Sequence, residues 1–470
     1  MVDSRPTPPD NRGGRPVSAL STYFDIDARG SSVRTEVIGG VTTFMTMAYI
    51  LFVNPSILGA AGLEFPQVLT VTALVAGVMT ILMGVVGKYP FAIAPGLGLN
   101  AVVAFTLVGA QGLTAPEAMG VIVTEGIVIT ILVLTGVREA VLDAIPMVLK
   151  KAIGVGIGLF IAIIGFVNAG FTVAGGAIIT RGETGSGQIG IFVIGLVLAL
   201  VLLARRVKGA LLIAILATTI GAIVLNEFFM DGGLWAEFPG VGLIPGQFVS
   251  APDFSLLGDF SFGYWAKLGA LGAILAVFTL MLADFFDTVG TAVGLADEAG
   301  FLDEDGRLPG MNRVLLVDSL AAVAGGAGSS SSATTYIESA AGISEGAKTG
   351  LASVVTGLLF LLALFISPLA GVIPPQATAA ALVVVGFLMI SAIRDIDWAD
   401  PTDAAPAFLT LVGMPFTYSI TDGIGLGFVS YVVLKAFTGR AGEVHPMMWV
   451  SAAAFVIYFA IEPIKGLLGA

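Results

Sequence analysis

The chain has 470 residues, of which 56% are hydrophobic and only 11% are charged, whereas soluble domains carry about 25% charged residues. Most of the chain must therefore be solvated by lipid, which excludes an ordinary soluble protein. The absence of cysteine, the single histidine and the net charge of −12 exclude disulfides and thiolate-bound metals and disfavour nucleic acid as a partner.

The predicted elements begin after a polar stretch, residues 1–33, that is rich in Pro, Gly and Arg and lacks the apolar core of a signal peptide. We interpret this stretch as a cytoplasmic tail. A membrane helix needs about 20 mostly apolar residues, and two sets of seven segments are predicted on this basis. Segments 1–7 cover 35–58, 68–87, 91–110, 117–136, 146–169, 189–204 and 208–228. Segments 8–14 cover 266–296, 311–327, 329–344, 349–367, 376–393, 403–419 and 421–438.

The order of the segments divides the chain into two halves, 34–228 and 266–438. An odd number of segments in each half inverts the second half relative to the first. The loop between them, 229–265, is predicted to be extracellular, and the remainder, 439–470, holds an extra hydrophobic stretch that spans the membrane at 446–465 or lies against the bundle. Lys and Arg concentrate in loops on the side of the N-terminus, which predicts a multi-pass protein of the cell membrane with a cytoplasmic N-terminus.

Segments 3 and 10 occupy corresponding positions in the two halves, and both contain helix-breaking residues. In segment 3, Pro95 lacks a backbone N–H and disfavours helix at Ala94, and Gly96 weakens the turn further. In segment 10, a serine and threonine run begins at Ser329 and favours extended chain and helix caps. We therefore predict extended chain up to Gly96 and up to Tyr336, each followed by a half-helix. Matched breaks of this kind indicate a transport site near the middle of the membrane.

Carboxylates inside the membrane are costly and are functional candidates by default. Glu338 begins the second half-helix, and Asp284 and Asp287 share one face of segment 8, where two close carboxylates favour proton coupling. Asn100, one turn into the first half-helix, can both donate and accept hydrogen bonds, as an uncharged heterocycle requires. The competing interpretation of each residue is structural: a helix cap for Glu338 and hydrogen bonds within the bundle for the others.

Several other polar residues are interpreted as structural. Glu125 in segment 4 and Asp318 in segment 9 are assigned to the bundle, as is Asn54 beside Pro55. The acidic run 303–307 lacks the spacing and the closing glutamate of a calcium loop, and no metal is expected. The serine run has no general base nearby, so the chain is not expected to be an enzyme.

Five stretches carry a resemblance to a known family: 35–49, 94–101, 284–291, 334–342 and 415–423. On these residues the chain resembles the purine permeases of the azaguanine-resistance type, in the nucleobase:cation symporter-2 group of the xanthine–uracil permease superfamily. The resemblance implies an all-α polytopic fold of two inverted seven-helix repeats. It also implies a core domain built from segments 1–4 and 8–11, and a gate domain built from segments 5–7 and 12–14.

The function implied by the resemblance is secondary active import of adenine, guanine or hypoxanthine, by proton symport with alternating access. Glu338 would hold the base through its ring N–H groups, Asp287 would be a second contact or the proton-coupled group, and Asn100 would help to select purines. The implied substrate-binding set is completed by Tyr336, Ile337, Leu97 and Thr291, and the implied proton-coupling set is Asp287, Glu338 and Asp284. Uracil and xanthine relatives commonly carry glutamate in place of Asp287, and the shorter aspartate leaves more room for a purine.

Two alternatives within the same fold stay open. A uracil or xanthine permease is the closer one. A sulfate- or bicarbonate-type anion transporter is more distant, because such relatives usually carry a soluble C-terminal domain and because an anion does not suit a site made of Glu338 and Asp287. The expected partners are a purine base, protons and the lipid bilayer, with no cofactor and no nucleic acid. The preferred base, the choice between proton and sodium, and the formation of a homodimer are left open.

Overall fold

The structure is a computed structural model that describes residues 19–136, 144–175, 178–237, 240–303 and 307–468. Most of the predicted cytoplasmic tail lies outside the described residues, as does the centre of the acidic run 303–307. The described end of the tail forms a short helix, α1 (Ala19–Phe24), ahead of the first membrane segment.

The first half of the chain forms helices at each of the predicted segments 1–7. In chain order its elements are α2 (Val33–Met47), α3 (Ile50–Leu58), α4 (Phe65–Leu82), β1 (Ile93–Pro95), α5 (Leu97–Ala101), α6 (Ala115–Thr135), α7 (Met147–Asn168), β2 (Thr172–Gly175), β3 (Ile178–Arg181), α8 (Gly187–Ala204) and α9 (Ala210–Phe229). Two π-helical stretches, Met83–Gly87 and Val102–Ala110, prolong α4 and α5. The single helix predicted at 35–58 is divided into α2 and α3 at Ala48 and Tyr49, and β2 and β3 form a hairpin that the sequence pattern did not indicate.

The second half follows a loop with one 3₁₀ turn, Gly233–Trp235. Its elements are α10 (Tyr264–Glu298), α11 (Met311–Ala327), β4 (Ala333–Thr335), α12 (Ser339–Ser344), α13 (Gly350–Leu362), α14 (Ser367–Gly371), α15 (Pro375–Met389), α16 (Pro401–Thr417), α17 (Ile420–Phe437) and α18 (Pro446–Leu468). Further 3₁₀ turns are Gly59–Ala61, Ala363–Phe365, Ile390–Asp395 and Ala441–Glu443. The long helix α10 bends at Gly269, whose φ of 67° is a left-handed conformation that glycine adopts without a steric penalty.

Nine helices of the described chain are long and apolar enough to cross a membrane. They are Val33–Ala61, Phe65–Gly87, Ala115–Thr135, Met147–Asn168, Gly187–Ala204, Ala210–Phe229, Tyr264–Asp297, Pro375–Asp395 and Ile420–Phe437. The other predicted segments fall short of this length. Segments 3 and 10 are interrupted by strands, and α11, α13 and α16 have 17, 13 and 17 residues. This is the arrangement of a multi-pass membrane protein.

The helices pack in two groups. In the first group, α13 packs against α2 and α4, and α6 packs against α10 and α11. In the second group, α7 packs against α15 and α16, α16 against α17, and α8 against α9 and α15. The contact between α7 and α15 requires glycine, because a Cβ on Gly386 would lie 2.4 Å from the carbonyl oxygen of Gly158. The last helix, α18, lies against α17, where the Phe455 and Phe428 rings are 5.9 Å apart.

Candidate functional site

The two predicted breaks meet in the structure as a pair of antiparallel strands. β1 and β4 have three residues each, and Ala94 lies opposite Thr334. Backbone bonds extend the pairing at both ends, from the Gly96 N–H to the Ser332 carbonyl at 2.8 Å and from the Tyr336 N–H to the Ala92 carbonyl at 2.9 Å. The pairing satisfies backbone groups that would otherwise be unpaired at the depth of the membrane, and it confirms the extended chain predicted in segments 3 and 10.

Each strand leads directly into a helix, α5 after β1 and α12 after β4. Because the strands are antiparallel, the two helices leave the pair in opposite directions, with their first turns beside it. Ser339 holds the second junction in place. Its hydroxyl donates to the Tyr336 carbonyl at 2.7 Å and accepts from the Ala92 N–H at 2.9 Å. The start of α12 is thereby attached to the residue that precedes β1.

A cavity of about 110 Å³ lies at the junction of strands and helices. Its lining comes from both breaks, from α10 and from α15, and consists of Tyr49, Gly96, Leu97, Gly98, Asp287, Thr291, Thr335, Tyr336, Ile337, Glu338, Val385 and Met389. A second cavity of about 400 Å³ shares Asp287, Thr291 and Ile337 with the first and extends to Lys150 at the start of α7. The larger cavity alone falls within the range of about 300–1,000 Å³ that is common for small-molecule sites.

Glu338, just ahead of α12, presents its carboxylate to the smaller cavity. The Tyr49 hydroxyl donates a hydrogen bond of 2.5 Å to Glu338 Oε1. Tyr49 is only 1% exposed and comes from the break between α2 and α3, so this donor is held by the surrounding packing. A carboxylate has about four acceptor sites, so Glu338 keeps free acceptor capacity for a ligand.

Asp287 is the second carboxylate of the site. It lies on α10, is exposed to the cavity, and contributes to the lining of both cavities. The Thr334 hydroxyl, from β4, donates to Asp287 Oδ2 at 3.3 Å. Thr291, one helical turn after Asp287, also lines both cavities. The structure therefore brings Glu338, Asp287 and Thr291 together as the sequence predicted.

Three other predicted residues lie at the same place. The Tyr336 hydroxyl donates to the Pro95 carbonyl at 2.5 Å, so its ring spans the two breaks. Leu97, the first residue of α5, is 7% exposed and lines the smaller cavity. The side chain of Ile337 is 55% exposed and lines both cavities.

Asn100 and Asp284 do not reach either of these cavities. Asn100 is fully buried, and neither its amide oxygen nor its amide nitrogen has a hydrogen-bond partner among the described residues. Asp284 is 1% exposed and accepts a hydrogen bond of 3.0 Å from the Ser332 hydroxyl, behind the strand pair. Their predicted roles in purine selection and proton coupling stay predictions. In this conformation neither side chain lines a cavity, so any such role is indirect.

Comparison with known proteins decides the class of this protein. The sequence model of the Permease family (Xan_ur_permease) matches residues 34–426, which is most of the chain. The chain belongs to this family. An adenine permease of Escherichia coli is 42% identical over 442 residues, which are 93% of this chain and 95% of the relative. A guanine/hypoxanthine permease of Bacillus subtilis is 38% identical over 451 residues, 94% of this chain and 99% of the relative.

A solved structure with the same architecture is the transmembrane domain of a cyanobacterium bicarbonate transporter. It superposes on this permease with a TM-score of 0.59 at 14% identity, covering 84% of this chain and 97% of that domain. At that identity the likeness concerns the fold, and it confirms the predicted fold of inverted repeats. The family resemblance predicted from the motifs is also confirmed, and the protein is a membrane transporter rather than an enzyme.

Sequence reasoning missed several residues of the permease site: Tyr49, Thr335, Val385 and Met389, which line the cavity, and Thr334, which donates to Asp287. Tyr49 and Thr334 lie within the stretches that resemble the family, but neither was assigned a role. The sequence feature that could have identified both residues is a hydroxyl within an apolar segment, next to a break. Val385 and Met389 on α15 contribute apolar wall. No sequence signal separates these two residues from the other apolar residues of α15, because only packing decides which face of α15 meets the cavity.

Proposed function

We propose that this permease imports purine nucleobases, namely adenine, guanine or hypoxanthine, across the cell membrane. The observation that carries the proposal is the convergence of two acceptor groups, the carboxylates of Glu338 and Asp287, on one cavity. Purine bases present N–H donors, and hydrogen bonds to an ionised acceptor are about twice as strong as neutral ones. The names of the Escherichia coli and Bacillus subtilis relatives, an adenine permease and a guanine/hypoxanthine permease, support these substrates.

The walls of the cavity favour a flat, uncharged ring. Val385 and Met389 supply apolar surface that suits the face of a base, while the two carboxylates suit its edge. Aspartate at 287 is one methylene shorter than the glutamate commonly found in uracil and xanthine relatives, and this leaves more room beside the carboxylate for the edge of the base. A uracil or xanthine permease remains the alternative to be tested.

An anion substrate is disfavoured by charge. Two carboxylates directed at one cavity repel a bicarbonate or sulfate ion, and like charges brought together at a binding site cost several kcal/mol, on the order of a thousandfold in affinity. The bicarbonate transporter domain shares the fold at 14% identity, which says nothing about the substrate of this chain. The single basic residue in the described lining of the two cavities, Lys150, lies at the far end from Glu338.

Alternating access is the proposed mechanism, with the two packing groups as its moving parts. In this proposal the first packing group is the core and the second is the gate. The cavity that begins at Asp287 reaches Lys150 at one end of α7. At the other end of α7, Asn168 lines a separate cavity of about 550 Å³, together with Ser56 and Thr378. With the N-terminus in the cytoplasm, the Lys150 end is cytoplasmic, and the cavity that begins at Asp287 extends towards the inside.

Proton symport is the proposed energy source, because both carboxylates of the site can be neutralised by a proton when the site changes sides.

The test of substrate and coupling ion uses uptake of labelled hypoxanthine into cells, with adenine, guanine, xanthine and uracil as competitors. We expect adenine and guanine to compete best and a protonophore to abolish accumulation. Accumulation that persists without a proton gradient but requires sodium would replace the coupling ion. If uracil or xanthine competes best, the proposed substrates are wrong and the protein is a uracil or xanthine permease.

The site assignment is tested by Glu338→Gln, which removes the charge but keeps the shape. We expect uptake of every purine base to be lost while the protein still inserts into the membrane. Glu345→Gln is the matched control, since Glu345 lies at the other end of α12 and pairs with Lys208 at the surface. Full uptake by Glu338→Gln, or an equal loss in the control, would contradict the assignment.

A further inference from the structure

A second group of carboxyls lies behind β4, apart from the cavity. It consists of Glu125 on α6, Asp284 on α10 and Asp318 on α11, which are 0%, 1% and 4% exposed. The helix contacts that enclose it are tight: a Cβ at Gly126, the neighbour of Glu125, would lie 2.6 Å from the backbone nitrogen of Val323. None of the three carboxyls lines the substrate cavity.

The three carboxyls differ in the number of donors that face them. Asp318 accepts three hydrogen bonds, from the Thr288 hydroxyl at 2.6 Å and from the Thr335 N–H and hydroxyl at 2.9 and 2.8 Å. Asp284 accepts one, from Ser332, and its other oxygen has no donor among the residues that the structure describes. Neither oxygen of Glu125 receives a hydrogen bond from any donor in the described part of the chain. The Asp318 carboxylate is therefore well supplied with hydrogen-bond donors, and the Glu125 carboxyl is not.

Helix α6 packs against α10, and this packing places the carboxyl of Glu125 beside that of Asp284. Two ionised carboxylates only accept hydrogen bonds, so a bond between them requires a proton on one of them. No Lys, Arg or His in the described residues forms an ion pair with the group, and the other charges that face it, Asp318 and Asp287, are also acidic. Burial and like charge both act against a second negative charge here.

We propose that Glu125 and Asp284 share one proton, and that this pair is a protonation site of the permease separate from the substrate cavity. The pair behaves as one titrating unit, in the way that two facing carboxyls do in other buried dyads. Glu125, which the sequence pattern assigned to the bundle, thereby becomes half of a proton-binding site. The proposal concerns the proton alone and does not require the substrate to be a purine.

Strand β4 connects this pair to the substrate site. Ser332 hydrogen-bonds to Asp284 and Thr335 to Asp318, whereas Thr334 hydrogen-bonds to Asp287 in the cavity. The same strand leads into Tyr336 and Glu338. A charge change on the pair therefore acts on the strand that shapes the binding site, and linkage makes the effect reciprocal. This coupling role, unlike the shared proton itself, rests on the proposed function.

The proton is detected by infrared spectroscopy of the purified protein, through the C=O stretch of protonated carboxyls. We expect the parent at neutral pH to show a band that is lost in Glu125→Gln and equally in Asp284→Asn, because each amide can donate to the remaining carboxylate. The double variant should remove no more than either single variant. A band that neither variant changes would overturn the shared proton. So would a band displaced by sodium ions at constant pH, which would identify the pair as a sodium site.

Glu36→Gln is the matched control. Glu36 on α2 is as buried as Glu125, at 0% exposed, but it accepts hydrogen bonds from the Ser31 hydroxyl at 2.6 Å and from the Lys348 and Thr349 N–H groups at 2.9 and 3.2 Å. A glutamate with three donors has no need of a proton, so its replacement should leave the band intact. Equal loss of the band in Glu36→Gln would show that burial alone, rather than the missing donors, determines protonation, and would overturn the proposal.

The coupling role is tested in proteoliposomes. Glu125→Gln should still exchange labelled hypoxanthine against unlabelled hypoxanthine across the membrane, while accumulation driven by a pH gradient falls to the equilibrium level. Accumulation equal to that of the parent would overturn the coupling role. If the parent itself moves no purine, the proposed function fails, and the infrared result still decides whether the proton is present.

Discussion

Tyr49 donates a hydrogen bond of 2.5 Å to the carboxylate of Glu338, across 289 positions of the sequence. The donor comes from the break in the first membrane segment of the first repeat, and the acceptor comes from the break in the third segment of the second repeat. A hydroxyl at this position orients the carboxylate, because it donates to it. The bond thus links the first segment of the chain directly to the proposed substrate site.

Replacement of Tyr49 by Phe removes the hydroxyl donor and keeps the aromatic ring. We expect the KM for purine uptake to rise about tenfold, since a hydrogen bond to a charged group contributes about 1.5–3 kcal/mol and part of that loss is compensated by water. Expression should be unchanged, because the ring is still buried. Tyr23→Phe is the control, since the Tyr23 hydroxyl donates to the Val85 carbonyl at the surface. A KM within twofold of the parent would show that Tyr49 does not orient Glu338.

Replacement of Asp287 by Glu adds one methylene to a cavity of about 110 Å³. We expect uptake of purines to fall about tenfold or more relative to uracil, because one methylene in a close-fitting pocket changes discrimination by about 1–3 kcal/mol. Competition of labelled hypoxanthine and labelled uracil uptake measures the ratio. Asp297→Glu, at an exposed position of the same helix, is the control. An unchanged ratio of purine to uracil uptake would exclude space at Asp287 as the cause of purine preference.

The Ser56 and Thr378 hydroxyls are 3.0 Å apart, and they join α3, which packs against α4 of the first packing group, to α15 of the second group. The chain contains no cysteine, so the pair Ser56→Cys and Thr378→Cys can be cross-linked without a background reaction. We expect oxidation to lock α3 against α15 and so to abolish uptake almost completely. Reduction of the disulfide should restore uptake. The two single-cysteine variants should be insensitive to oxidation. Normal uptake by a fully cross-linked protein would show that α3 and α15 do not separate during transport.

Arg440 forms ion pairs with Asp400 at 2.5 Å and Glu443 at 2.7 Å, outside the membrane-spanning helices. The hydrogen bonds from Arg440 lower the pKa of the Asp400 carboxyl and the pKa of the Glu443 carboxyl below their ordinary values. A lowered pKa contributes stability above the unfolded-state value, about 4 for these residues, and this contribution is lost as the pH falls through the folded-state pKa.

Arg440→Gln should therefore lower the Tm of the purified protein at pH 7 by a small amount, because the pair is at the surface. The difference from the parent should shrink as the pH falls below about 4, where the carboxylates become protonated. Arg394→Gln is the control, because Arg394 forms no ion pair in the described chain and donates to the Ser391 carbonyl. A difference in Tm that stays constant down to acid pH would rule out these two carboxylates as its origin.

The sequence alone determined the membrane setting, the two halves and the position of both breaks. These features follow from local composition: a run of about 20 apolar residues has few alternatives to a membrane helix, and Pro95 and the serine run cannot continue one. The same local signals located Glu338 and Asp287, because a carboxylate in an apolar segment stands out against its neighbours.

Only the tertiary structure decided which of these groups meet. Tyr49 reaches Glu338, and Asp284 is bound by Ser332 outside the cavity that Asp287 lines, although 284 and 287 share a helix face in sequence spacing. Asn100 lies behind the cavity wall, while Val385 and Met389 form part of that wall. The rotation of each helix about its axis and the register of β1 against β4 are set by packing between segments far apart in the chain, and a pattern within one segment carries no information about its partner.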